Sequence, residues 1–294
     1  MPPEPLDHET VRRLVAMSLA EDRADLDVTT QSLSGWMGDG QAEMIARAGG
    51  VICGIGFAEA AFTANGAMFE PHVADGAKVA EGTVVGVVSG SLSALLRAER
   101  VALNWIQRLS GTATLTAQAV AAAQTGGAVQ ILDTRKTTPG LRAAERYAVR
   151  CGGGLNHRDS LAAGVLIKDN HIAAVRAGGG SLADTVRTAL ANVGPATAVE
   201  VEVTNLAEAE EALAAGARAL LLDNFTIGEL PPAVELARQY GATTEASGGV
   251  VVEQIEAISA AGVDYISMGA LTHSAPALDI ALDVRVSQES QSPC

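Results

Sequence analysis

Read by the alternation of apolar and polar positions, the chain changes style part-way. Residues 7–22, "DHETVRRLVAMSLAED", carry apolar positions at helical spacing. Asp7 is a candidate N-cap, with Glu9 in the first turn. From about 40 to 90 the pattern turns strand-like and glycine-rich, as in "AEMIARAGGVICGI" and "VADGAKVAEGTVVGVVSG". The "DG" and "EG" pairs mark turns, and the stretch suggests a small swivelling β module. Lys78 lies in it without the flanks of a lipoylated lysine, so it is assigned a structural role. "SALLRAERVALNWIQRLSGTATLTAQAVAAAQ" predicts a long helix, with Gly111 as the expected break and domain boundary.

Beyond residue 128, short apolar runs alternate with helical ones. The expected strands are "AVQILD" (128–133), "GVLIKD" (164–169), "AVEVEV" (198–203), "ALLLD" (219–223), "TTEAS" (243–247) and "YISMG" (265–269). Alanine-rich amphipathic segments such as "NLAEAEEALAAGA" separate the later ones. This alternation predicts a parallel sheet covered on both faces. The even spacing in the second half favours a β/α barrel, and six or seven strands would leave it incomplete. An open doubly wound sheet stays possible, although no GxGxxG follows the first strand.

Composition narrows the function classes. The chain has 294 residues, 48% hydrophobic and only 3% aromatic, with a net charge of −14. That charge argues against a nucleic-acid or anionic-membrane partner. Cys53, Cys151 and Cys294 show no metal-ligand spacing, so a reducing cytoplasm is the expectation. The start "MPPEPLDHETVRRLV" lacks the pattern of a signal peptide, no apolar run reaches membrane-spanning length, and "SQESQSPC" is a polar tail.

The ends of the predicted strands carry the chemistry. Asp133, Arg135 and Lys136 follow the first; Lys168 and Asp169 close the second; Glu200 and Glu202 lie on the third. Asp223 and Asn224 close the fourth, Glu245 and Ser247 the fifth, and Gly269 the sixth. In a parallel barrel these ends share one rim, where active sites form. Residues 130–170 hold seven Lys or Arg against four acids, a basic island in an acidic protein. Arg135, Lys136, Arg158 and Lys168 are the candidates for binding a small, highly charged anion. Glu202 and Asp223 could share a divalent ion or sugar hydroxyls, and the plainer reading is helix capping or an ion pair with Lys168. "ASGGV" and "SMGAL" follow the last two strands as candidate phosphate cradles. Together these features suit transfer of a phosphorylated sugar to an acidic acceptor.

In order along the chain, "LDTRKTTPGLR", "GGGLNHRDSL", "LIKDNHI", "VEVEV", "LLLDNF", "EASGGV" and "GALTHS" resemble the quinolinate phosphoribosyltransferase family, over about residues 12–284. Two positions depart from its pattern, Leu26 where glycine is common and Thr112 where isoleucine is common. The resemblance implies an N-terminal α/β sandwich-like domain (1–112, completed by 273–285), an α/β barrel (113–272) and a tail (286–294). It implies that Arg100, Arg135, His157, Arg158 and Lys168 surround the quinolinate carboxylates, with Arg100 reaching the neighbouring site of a homodimer that could assemble further into a hexamer, and that Thr134 and Met268 also bind substrate. Lys136, Glu202 and Asp223 would face phosphoribosyl pyrophosphate, the two acids toward magnesium. Ser247, Gly248, Gly249, Gly269 and Ala270 would hold its 5′-phosphate, with His273 near the phosphates. Lys136, Lys168, Glu202 and Asp223 are the expected catalytic set.

Three other readings fit part of the pattern. A lysine ending a barrel strand is also the nucleophile of a Schiff-base aldolase. A related phosphoribosyltransferase could take another acceptor. A binding protein without catalysis would keep the anion pocket and release no CO2.

Overall fold

A computed structural model describes residues 4–194 and 196–285, so the tail expected at 286–294 lies outside the described residues. Two compact units divide them: residues 4–115, 143–153 and 275–285 form the first, and 116–142 with 154–274 the second.

The first unit opens with α1 (His8–Asp22), whose first turn is capped by Asp7 accepting from Thr10 N at 2.8 Å. Val11, Leu14 and Val15 are its buried stripe. Then come α2 (Val28–Ser32), β1 (Asp39–Ala46), β2 (Gly50–Val51), α3 (Ile55–Ala64), β3 (Met68–Pro71), β4 (Lys78–Val79), β5 (Val84–Ser91) and the first part of α4 (Leu92–Gly126). The main sheet includes the last strand of the chain, β12 (Ile280–Arg285), and runs β12-β1-β5-β3. β1 is central and pairs antiparallel with both neighbours, in register Ala46↔Ile280 with β12. The small β pair β2–β4 holds Val51 opposite the exposed Lys78.

Two sequence expectations fail here. The stretch 40–90 is not a β module, because 55–64 is helix α3, which packs on α1 and buries Phe57, Ala58, Ala61 and Phe62. Nor does Gly111 break the long helix: α4 runs 35 residues without interruption. A Cβ at Gly111 would stand 1.9 Å from the carbonyl oxygen of Pro276, so glycine permits close packing there rather than a bend.

The second unit is the β/α half. Its elements are β6 (Gln130–Leu132), β7 (Val165–Ile167), α6 (Asp169–Ala177), α7 (Leu182–Asn192), β8 (Val199–Val203), α8 (Leu206–Ala214), β9 (Ala219–Asp223), α9 (Leu230–Gln239), β10 (Thr243–Ser247), α10 (Val252–Ala260), β11 (Tyr265–Ser267) and α11 (Ala270–His273). Helix α5 (Arg142–Cys151) lies between β6 and β7 in sequence, with most of its residues in the first unit. All six strands are parallel, in the order β6-β11-β10-β9-β8-β7. A single parallel bridge, Leu132↔Leu155, adds a seventh backbone segment beside β6. The sheet curls, since His157 meets side chains from both β8 and β10 on its inner face.

Alternation assigns the faces. On β8, Val199, Val201 and Val203 are buried on the helix-covered side. Glu200 and Glu202 therefore share the inner side. On β9, Leu221 and Asp223 share that side, and on β10 so do Glu245 and Ser247. The register puts Glu202 opposite Leu221, Leu221 opposite Glu245, and Asp223 opposite Ser247, so polar tips are stacked in layers at the C-terminal ends.

Candidate active site

The strand ends converge on a cleft of about 280 Å³ lined by Thr134, Arg135, Lys136, His157, Arg158, Leu166, Lys168, Glu202, Leu221, Asp223, Glu245, Ser247 and Ser267. Nine of the residues expected from sequence are in that lining. A larger groove of about 950 Å³ lies in the first unit, with mostly apolar walls. Its half-buried Asp75 is engaged by the amides of Gly54 and Ile55 and by the hydroxyl of Tyr147. The charged strand ends meet at the smaller cleft.

One side of the cleft is cationic. Arg135 follows β6, and its Nε is buried without a hydrogen-bond partner among the described residues. Burial and the adjacent Arg135 charge pull the pKa of Arg158 down. Two neighbouring guanidiniums with a buried orphan donor are what a multivalent anion relieves. The Arg158 guanidinium also donates from Nη1 to Gly164 O at 2.8 Å, which fixes its direction. Thr134 turns its hydroxyl back to accept from Lys136 N at 3.0 Å, and the Lys136 carbonyl accepts from Thr272 Oγ1 at 2.7 Å.

The other side is acidic. Lys168 continues β7 one residue past the pair Ile167↔Val201, level with Glu202, and the two side chains meet with Nζ donating to Oε2 at 2.7 Å. The ion pair foreseen as the plainer reading is present. Asp223 ends the neighbouring strand β9, where burial and the negative charge of Glu202 raise its pKa. Asn224, in a left-handed turn at φ 56°, donates to Asp223 Oδ2 at 2.8 Å. Two carboxylates crowded in this way are a hard-oxygen donor set suited to Mg²⁺.

Some strand-end residues serve other ends. Asp133 is fully buried and accepts from Asn156 Nδ2 at 2.6 Å and from His157 N at 2.8 Å, so it tethers the loop after α5 instead of facing the cleft. Asp169 is exposed in the first turn of α6.

The glycine-rich turns follow β10 and β11. Gly248 and Gly249 are both left-handed, at φ 99° and 60°, just before α10. A Cβ on Gly248 would come within 2.4 Å of Asn224 Oδ1. Ser267 Oγ donates to Ser247 Oγ at 3.0 Å, joining the two turns. At Gly269 a Cβ would stand 2.9 Å from His273 Nε2 and 3.0 Å from Lys136 Cδ, so three expected site residues crowd one point. Ala270 starts the single turn α11, and Met268 is buried with its amide donating to Leu132 O. Arg100 is exposed on α4, in the first unit.

The sequence reading left one cluster without a role. His157 Nε2 lies 3.2 Å from Glu200 Oε2 and 3.4 Å from Glu245 Oε2. These ligand atoms lie within 4.8 Å of one another, a set that could also hold a metal ion. Hydrogen bonds to Glu200 and Glu245 raise the imidazole pKa, against burial. Yet Nδ1 accepts from Arg158 N at 2.7 Å, and a cationic ring would present a second proton there. The amide contact decides the matter in favour of the Nε2–H tautomer. Burial gives Glu200 an upward shift as well.

Comparison with known proteins follows the same lines. Residues 27–110 match the family described as "Quinolinate phosphoribosyl transferase, N-terminal domain", and residues 112–283 its "C-terminal domain". A nicotinate-nucleotide pyrophosphorylase (carboxylating) of Mycobacterium leprae is 40% identical over 95% of this chain and 98% of its own. Quinolinate phosphoribosyltransferase (decarboxylating) 1 of Nicotiana glauca is 38% identical over 96% of this chain and 85% of its own. The structure of a nicotinate-nucleotide pyrophosphorylase from Francisella tularensis superposes with a TM-score of 0.86 at 39% identity, covering 96% of this chain and 98% of that one. Motif order, inner-face chemistry and full-length similarity agree: this chain belongs to the quinolinate phosphoribosyltransferase family.

Proposed function

We propose that the chain transfers the phosphoribosyl group of phosphoribosyl pyrophosphate to quinolinate with decarboxylation, forming nicotinate mononucleotide, pyrophosphate and CO2 for NAD biosynthesis. The observation that carries this reading is the two-sided cleft, with Arg135 and Arg158 on one wall and Glu202 and Asp223 on the other. A pyridine dicarboxylate needs the first wall, and a sugar with a polyphosphate leaving group needs the second.

In this reading the pyridine nitrogen bonds to the anomeric carbon as pyrophosphate departs with the electron pair of the C–O bond. Arg135, Arg158, Lys168 and Thr134 hold the acceptor so that its nitrogen faces that carbon, with the His157 ring lining the same wall. Such alignment can contribute roughly 7–11 kcal/mol at best. Glu202 and Asp223 would hold Mg²⁺ together with the substrate phosphates. Magnesium, when bound, neutralises charge on the leaving pyrophosphate. Lys136 adds a point charge beside the phosphates. Ser247, Gly248, Gly249, Gly269 and Ala270 cradle the 5′-phosphate, with Met268 fixing the turn and His273 beside it.

The new bond makes the ring a pyridinium, an electron sink. The C2–carboxylate bond then breaks, CO2 leaves, and the electron pair left on C2 takes a proton. Lys168 passes from Glu202 to the incoming dianion, which frees Glu202 for the ribose and the metal.

A homodimer is part of the proposal, with Arg100 contributing to the neighbouring copy's site, and it leaves room for a hexamer. So is a cytoplasmic location, which suits the buried free thiols Cys53 and Cys151, 3.5 Å apart. The aldolase reading is disfavoured because the Lys168 side chain is engaged by Glu202 at 2.7 Å. Assaying quinolinate and nicotinate side by side, with phosphoribosyl pyrophosphate and magnesium, tests the reading. Quinolinate alone should yield nicotinate mononucleotide; equal turnover of nicotinate would overturn it.

A further inference from the structure

Arg158 is carried on the loop between α5 and β7, and a loop is a poor platform for an anion-binding fork unless something fixes it. Tethers on the N-terminal side are evident. Leu155 bonds through its backbone to Ile131 and Asp133, and Asp133 holds Asn156 and His157. The next tether is the His157 ring, and it is costly. Its partners Glu200 and Glu245 are 15% and 4% exposed, and Glu245 Oε1 is buried with no hydrogen-bond partner among the described residues. Two carboxylates so placed are a poor way to stabilise a fold; apolar residues of similar size are often neutral or better.

We infer that Glu200 and Glu245 are positioning residues: together they hold the His157 imidazole by Nε2 so that Nδ1 captures the Arg158 amide, and this sets the guanidinium for the acceptor's carboxylates. The chain of contacts is continuous and lies within one unit: Glu200 and Glu245 to Nε2, Nδ1 to Arg158 N at 2.7 Å, and Nη1 to Gly164 O at 2.8 Å. With Nε2 facing the glutamates and Nδ1 facing the amide, both ring nitrogens are occupied. The effect of the acids on binding therefore runs through Arg158. The glutamates and Glu202 thus divide the inner face by task, two fixing the acceptor's clamp and one facing the sugar. This inference rests on the quinolinate reading for its binding arm alone.

The test is the double variant E200Q/E245Q, which keeps the volumes and replaces both carboxyl groups by neutral amides. Its dissociation constant for quinolinate should rise about tenfold or more, while that for phosphoribosyl pyrophosphate stays within about twofold and the Tm is not lowered. In an R158A background the same exchange should add nothing to the loss of quinolinate binding. A nitrogen-15 spectrum of the wild-type imidazole, free of any substrate, should show Nε2 protonated and Nδ1 bare. Unchanged quinolinate binding, equal weakening of both substrates with a falling Tm, additivity with R158A, or a protonated Nδ1 would each overturn the inference. Should the double variant not fold, E245Q and the wild-type spectrum carry the test. The spectrum does not depend on what the protein binds, so its outcome is separate from that of the proposed reaction.

Discussion

Lys168 and Glu202 form a 2.7 Å ion pair across two neighbouring parallel strands, with the lysine 44% exposed and the glutamate 10%. Open pairs of this kind contribute about 0–1 kcal/mol to folding, so stability is a weak reason for a lysine at this strand end. K168A should leave the Tm within a few degrees of wild type and lower turnover roughly 10²-fold or more, the scale of losing one well-placed electrostatic group. Thermal melts paired with initial-rate assays check this; near-normal turnover would count heavily against the site.

Arg135 brings a buried Nε with no partner among the described residues. A lysine keeps the charge and loses the fork. R135K should raise the KM for quinolinate about ten- to a hundredfold, matching roughly 1.5–3 kcal/mol for a charged hydrogen bond, with the KM for phosphoribosyl pyrophosphate little changed. Steady-state kinetics with each substrate varied in turn separate the two.

Two glycines should fail in different ways. At Gly111 a new Cβ would meet the backbone of Pro276 at 1.9 Å, so G111A should lose at least about 1–3 kcal/mol of stability. At Gly269 the obstacles are side chains, His273 Nε2 and Lys136 Cδ. G269A should therefore keep most of its stability and raise the KM for phosphoribosyl pyrophosphate. Denaturant titration and kinetics on both variants test the contrast, and a matched loss of stability would contradict it.

Asp75 gives a pH signature. Burial raises its pKa in the folded protein, despite hydrogen bonds from Ile55, Tyr147 and Gly54. Between the ordinary carboxylate range and that raised value the folded state binds the extra proton, so stability contributed by this group falls as pH rises through the window. Asparagine can accept from the two amides and donate to Tyr147. The Tm of wild type relative to D75N should therefore decline from about pH 4 towards neutrality. A wild-type advantage that grows with pH would show the assignment to be wrong.

What the sequence disclosed follows from where local pattern suffices. β8 was legible because Val199, Val201 and Val203 alternate with Glu200 and Glu202, and α1 because Asp7 precedes an amphipathic run. Helix α3 was missed because "IGFAEAAFTA" is short and small-residue-rich, set among glycine-marked strands. Gly111 misled because intrinsic propensity counts against glycine in a helix, while the approach of Pro276, remote in sequence, demands it. The cleft's members were visible as strand-end residues, but the cluster of His157, Glu200 and Glu245 depends on the curl and register of the sheet. One signal was available: Glu200 shares a face with Glu202, and an acid on an inner face needs a partner.

The most direct measurement of the central claim, one cleft joining sugar transfer to decarboxylation, uses quinolinate labelled in its 2-carboxylate with phosphoribosyl pyrophosphate and magnesium. The account predicts nicotinate mononucleotide, pyrophosphate and labelled CO2 in equal amounts, all lost together in K168A. Pyrophosphate released without labelled CO2, or no consumption of either substrate, would contradict it.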